Sequence, residues 1–199
     1  AKRAISPLLI RRLVNLDLEK KPALRFSRDM FLLSFYLRGI PFVDLVHLRK
    51  TDVKHNTIYY YRHKTRQQLS VHIESYAAQI INRYKNEAAS SPYLLLILSL
   101  TGEDGYRQYK SALRLYNQHL HTLSKMLRLS IPLTSYVARH SWATTAKDEG
   151  VAISVISESL GHTSEKVTHV YLASFDNNAM SKANKKVIAT IHPNKKKKP

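Results

Sequence analysis

The sequence predicts a mainly α protein with a small antiparallel β-sheet, an α+β fold, on three observations. Apolar residues recur at three- and four-residue steps through most of the chain, as from Leu9 to Leu16 and from Leu113 to Leu127. The period changes to two in one stretch, where Thr57 to Tyr61 is rich in β-branched and aromatic residues and Leu69, Val71 and Ile73 alternate with Ser70, His72 and Glu74. The chain's 199 residues, 44% of them hydrophobic, suffice for one or at most two domains with a sizeable core.

Each element has a local reason. Ser6 to Leu18 carries Leu9, Ile10, Leu13, Val14 and Leu16 as a helical stripe with Arg11 and Arg12 beside it, an edge helix that Lys20, Lys21 and Pro22 interrupt. Ser27 restarts a strongly apolar helix, RDMFLLSFYL, which ends near Arg38-Gly39 because Pro41 disfavours helical geometry in the residue before it. A short helix from Phe42 to Leu48 precedes the two strands, which flank a turn near Lys64-Thr65-Arg66 and make a hairpin with a basic tip. Ser75 to Glu87 is helical, Ala88 to Pro92 is a loop, and Gly105 to Leu127 is a long amphipathic helix.

Three short helices close the pattern. Thr134 is a good N-cap for a helix in which Val137, His140, Ala143 and Thr144 recur, and which mounts Arg139 rigidly. Ala152 to Leu160 is the second, and Gly161 stands where a left-handed C-terminal residue is wanted, turning the chain and throwing His162 outward. Thr163 caps the third, with Glu165 in its first turn and Val167, Val170 and Tyr171 on one face. Asn177 to Ile188 reads as a further helical stretch, and the tail through Lys195 to Lys198 is expected to be disordered.

Charge narrows the partners. With 32 Lys+Arg against 14 Asp+Glu, a formal charge of +18 and a pI near 10.1, the chain calls for a polyanion, most simply nucleic acid. An anionic membrane surface is disfavoured, since the cations are spread through all segments instead of one amphipathic helix. The chain has no cysteine, which excludes disulfides, thiolate nucleophiles and cysteine metal sites and suits a cytoplasmic location. The longest apolar run, Tyr93 to Leu100, is far short of the roughly 20 residues that cross a bilayer.

Arg139, His162 and Tyr171 supply a cation, a hydrogen-bond donor and a hydroxyl, the groups needed to hold a phosphodiester and attack it. Each has an ordinary structural reading as well: an amphipathic edge residue, a helix C-cap contact and a core aromatic. His140 is read as structural, because consecutive helix residues point about 100° apart and cannot both face one phosphate. A metal site from His140, His162 and His169 is the chemical rival, disfavoured because the region lacks a carboxylate–histidine ligand pattern on one face.

As motifs, Y-V-A-R-H-S-W-A-T, L-G-H and Tyr171 resemble the H-x-x-R, R-H-[ST]-F-A-T, L-G-H and tyrosine of the tyrosine recombinase (phage integrase) family, in wording like the integrases of Bacteroidales mobile elements. The resemblance runs from about Phe26 to Leu172 and implies the catalytic-domain fold of that family, a helical body with a short sheet at its side. It implies that Tyr171 attacks a scissile phosphate to form a 3′-phosphotyrosyl intermediate, that Arg139 and His162 hold the phosphate, and that Lys64 on the hairpin protonates the departing 5′ oxygen, with no metal and no cofactor. Double-stranded DNA is then the partner, with Lys64, Arg66, Arg139 and Lys147 as phosphate contacts and a tetrameric synapse held through the C-terminal segment.

Two positions depart from the family pattern. A gap-free reading of G-I-P-F-V-D-L puts Pro41 where the family has its first arginine, and Arg38, three residues earlier, is the candidate replacement. Tyr136 stands in place of the H-x-x-R histidine; its hydroxyl can hydrogen-bond a phosphate but is a poor proton carrier near pH 7. These departures keep open a non-catalytic DNA-binding protein on the same fold, and charge alone keeps open an RNA-binding protein. The expected organisation is a linker and edge helix over 1–26, the catalytic domain over 27–175, and a C-terminal helix with a basic tail over 176–199. The family's N-terminal DNA-clamp domain has no counterpart here, so the chain reads as the catalytic half of a longer protein.

Overall fold

The most apolar stretch of the sequence forms the centre of the molecule. Helix α2 (Pro22–Tyr36) starts at Pro22, earlier than the apolar run at Ser27 suggests, because proline's fixed φ and missing N–H suit a first helical turn. It buries Met30, Phe31 and Leu33 and packs against α4 (Ser75–Tyr84), α5 (Gly102–Met126) and α6 (Val137–Asp148). From α5 come the buried Tyr116, Leu120 and Leu123, members of the predicted core stripe. The edge helix α1 (Pro7–Val14) is capped by Ser6, whose hydroxyl accepts the Leu9 N–H, and buries Ile10 and Leu13. This computed structural model describes residues 4–172 and Val187, apart from the side chains of Val170 and Tyr171; the expected helix over Asn177 to Ile188, Val187 excepted, and the basic tail lie outside the described residues.

The sheet is three-stranded and antiparallel in the order β1-β2-β3, with β1 (Val53–Lys54), β2 (Thr57–Tyr61) and β3 (Gln68–His72). In the predicted hairpin Ile58 pairs with Val71 and Tyr60 with Leu69, all buried, while Tyr59 and Tyr61 face outward. Strand β1 follows a single 3-10 turn (Lys50–Asp52) and joins β2 through His55 and Asn56, both with positive φ, as the favoured two-residue hairpin turn requires. Two residues carry no alternation, which is why the period of the sequence does not reveal β1.

After α3 (Phe42–Val46), the sheet and α4, the chain enters α5 and then the three short C-terminal helices α6, α7 (Ile153–Leu160) and α8 (Glu165–Tyr171). Ala143 of α6, Ile156 and Leu160 of α7 and Leu172 form a small core of their own, beside the main one. Two caps differ from expectation: α6 begins after Tyr136, not Thr134, and α8 after Ser164, not Thr163, neither with a side-chain capping bond. Tertiary packing fixes these starts, since capping energies of about 1 kcal/mol are small beside it.

Candidate active site

Helix ends build the site. At the end of α2 the Gly39 N–H bonds back to the Ser34 carbonyl, and at the end of α7 the His162 N–H bonds back to that of Ser157, so both helices close with a left-handed residue in the same motif. In α7 that residue is Gly161, φ +63, as its sequence position predicts; in α2 it is Arg38, φ +58, where glycine is usual. The same device thus turns the chain at Arg38 and, one residue before His162, at Gly161.

Arg139 of α6 lies between these turns, 3% exposed. Its Nη1 donates to the Gly39 carbonyl at 2.9 Å and its Nη2 to the Leu160 carbonyl, so the guanidinium plane is fixed by backbone from both helix ends. The approach is close: a Cβ on Gly39, φ +70, would lie 2.7 Å from the Arg139 Cα. Glycine is required there by space and by conformation together.

The hairpin docks on the same turn. Arg62, at the end of β2, pairs its Nε with Asp44 Oδ2 at 2.8 Å and donates Nη1 to the Leu160 carbonyl, while Thr65 Oγ1 donates to the Gly161 carbonyl at 3.3 Å. A Cβ on Gly161 would meet the Arg62 Cγ at 2.9 Å. Lys64 and Arg66 are exposed at the hairpin tip, Arg66 with φ +59. Arg38 reaches the sheet from the other side, donating Nη1 to the Ser70 carbonyl at 3.4 Å, in a groove of about 300 Å³ lined also by Gln68, Val155 and Glu158.

His162 is half-buried, with Nδ1 2.8 Å from Oγ1 of the buried Thr168. Burial first, then the charges of Arg139, Arg62 and Lys64, push its pKa down to about 4, so the ring is neutral at pH 7 and one ring nitrogen carries a hydrogen to donate. Tyr60, behind the site, is pushed up to about 12 by burial and by Asp44, against the lowering charges of Arg62, Arg139 and Arg38.

The remaining expected residues are placed as follows. Tyr136 sits at the start of α6, one turn before Arg139, 49% exposed, its ring 6.0 Å from that of His140. Lys147, expected on a phosphate, is buried on α6, 9% exposed. Tyr171 ends α8, and its side chain lies outside the described residues. Among the described residues no group of three or more His, Cys, Asp or Glu is arranged to hold a metal ion, and His140, His162 and His169 form none. Sequence reasoning gave no role to Asp44, although it is the acidic residue of G-I-P-F-V-D-L, nor to Arg62; the two lie 18 positions apart, and only folding puts the buried arginine against the buried carboxylate.

The chain belongs to the phage integrase family, whose pattern it matches over residues 12–178. It is 28% identical over 172 residues to the tyrosine recombinase XerA of Thermococcus kodakarensis, across 85% of this chain and 58% of that protein, so it spans under three-fifths of that relative's length. Its fold is similar to those of two proteins solved with DNA. The XerH site-specific recombinase on its difH substrate, a post-cleavage complex, gives TM-score 0.68 at 13% identity over 92% of this chain and 52% of that one. The Tn1549 transposon integrase with transposon right end DNA gives TM-score 0.66 at 13% identity over 95% of this chain and 67% of that one. Among the described residues no helix is long and apolar enough to cross a membrane.

Proposed function

We propose that this chain is the catalytic part of a DNA recombinase that cuts and rejoins strands through a 3′-phosphotyrosyl intermediate. The observation that carries the reading is the convergence of the Arg38-Gly39 turn, Arg139, the Leu160–His162 turn and the Lys64 hairpin through bonds to one another. A planar guanidinium suits two non-bridging phosphate oxygens and stabilises the added charge of a pentacoordinate phosphorus. A neutral His162 adds a hydrogen bond without competing for that charge. Tyr171 supplies the attacking hydroxyl, activated by the neighbouring cations, and Lys64 returns a proton to the departing 5′ oxygen. Arg38 stands in for the first arginine of the family pattern, a reading supported by its position beside Gly39, whose carbonyl holds the Arg139 guanidinium. Tyr136 adds a hydrogen bond to the phosphate.

Double-stranded DNA is the partner this reading requires, and the two DNA-bound structures of similar fold support it. Exposed Lys64 and Arg66 make the outer phosphate contacts, and the C-terminal segment from Asn177 joins protomers in a tetrameric synapse. The test is a duplex nicked beside its cleavage position, which traps the intermediate by losing the leaving strand. The reading expects a protein–DNA band that survives detergent; binding without such a band would favour the non-catalytic DNA-binding protein. Removing residues from 177 onward is expected to spare single-site binding and abolish paired complexes.

A further inference from the structure

Arg62 is absent from the family pattern described above, yet it ties the hairpin both to α3 and to the end of α7. It is 5% exposed, faces the equally buried Asp44 at 2.8 Å, shares the Leu160 carbonyl with Arg139, and packs its stem against Gly161. Asp44 also accepts the His63 N–H at 2.8 Å with its other oxygen, so the carboxylate holds the hairpin at two consecutive residues. Lys64 follows two residues after Arg62, and His162 two residues after Leu160.

We infer that Arg62 is a positioning residue: it sets the distance between the Lys64 hairpin and the Leu160–His162 turn, and so places the Lys64 ammonium over the leaving oxygen. This rests on the strand-transfer reading. In that step the Tyr171 hydroxyl gives its proton to solvent and its oxygen bonds to phosphorus, the bond from phosphorus to the 5′ oxygen breaks, and a proton from the Lys64 ammonium goes to that oxygen, leaving a neutral amine that solvent reprotonates. An exposed lysine on a hairpin tip has many rotamers and little of its own to hold it. The base beneath it, a buried guanidinium in ion-pair contact with a buried carboxylate and hydrogen-bonded to the Leu160 carbonyl, supplies the order that the tip lacks.

The test compares two nicked duplexes, one with the ordinary 5′ oxygen and one with sulfur in its place, whose thiolate leaves without a proton. Arg62→Lys keeps the charge and loses the fork. The expected result is adduct formation about 10²-fold slower on the oxygen substrate, a loss of the size that misplacing a catalytic group produces, with most of it restored on the sulfur substrate, as for Lys64→Ala. DNA affinity stays unchanged, and the His63 amide exchanges with solvent faster while amides of α2 and α5 do not. Equal slowing on both substrates, no slowing, or unaltered His63 exchange would overturn the inference. The neutral pair Asp44→Asn/Arg62→Met answers the same questions if Arg62→Lys folds poorly. Should the unaltered protein form no adduct on either duplex, the strand-transfer reading itself fails, and the amide exchange still decides whether Arg62 orders the hairpin.

Discussion

A left-handed conformation costs a non-glycine residue about 1–2 kcal/mol, and Arg38 carries that cost at the end of α2. Arg38→Gly therefore separates two roles. It is expected to leave stability equal or raised by up to about 1 kcal/mol, part of the gain being offset by the freer unfolded chain. Cleavage should nevertheless fall on the order of 10²- to 10³-fold, the loss typical of one transition-state donor. Urea denaturation and a timed adduct assay measure the two effects; unaltered cleavage would make Arg38 a bystander. His162 gives a pH signature. Its folded pKa of about 4 lies below the ordinary value of 6.5, so the unfolded chain takes up the proton first. Its contribution to stability is thus complete above about pH 6.5 and is lost as pH falls toward 4. His162→Asn should flatten that part of the stability profile, which urea midpoints across the range would reveal. Arg139 and His162 were legible as residues because their neighbours carry motif information; Arg62 was not, because its meaning is its buried partner.

At the scale of elements, the site depends on how α2, α6 and α7 end and meet. Gly39 is the tightest of these joints. Gly39→Ala is expected to destabilise the fold by about 1–3 kcal/mol through conformation alone, and the Cβ at 2.7 Å from the Arg139 Cα forces a backbone shift besides. Thermal unfolding would register the first effect and the adduct assay the second; undisturbed adduct formation would mean that α2 and α6 can separate without moving Arg139. Much of this level was readable in advance. The mainly α composition, the hairpin, the α5 stripe and the Gly161 turn follow from period and from glycine chemistry. Strand β1 and the starts of α6 and α8 were not, because a two-residue strand has no period and packing overrides a capping threonine.

At the scale of the whole molecule, charge and division of the core govern behaviour. With a charge of +18, the proposed binding to DNA rests mainly on phosphate contacts, and affinity should fall with salt at a log–log slope of roughly −0.9 per phosphate neutralised. Lys64→Ala and Arg66→Ala, both at exposed positions, should each reduce that slope by about one contact, whereas Lys147, 9% exposed, should matter little. A flat salt response in a titration of binding would count against DNA as the partner. The small second core under Ala143, Ile156, Leu160 and Leu172 carries α6, α7 and the residue after α8, and hence the three segments that bear Arg139, His162 and Tyr171.

The central claim is that Tyr171 becomes covalently joined to DNA. Digesting the adduct trapped on a nicked cognate duplex and mapping the DNA-linked peptide tests it most directly. The expected peptide contains Tyr171. Tyr171→Phe should form no adduct while keeping its DNA affinity and its stability to within about 1 kcal/mol, the most one hydroxyl contributes, and Tyr136→Phe should slow the reaction without abolishing it. An adduct that persists in Tyr171→Phe, or a linked peptide that contains Tyr136 in place of Tyr171, would contradict the account.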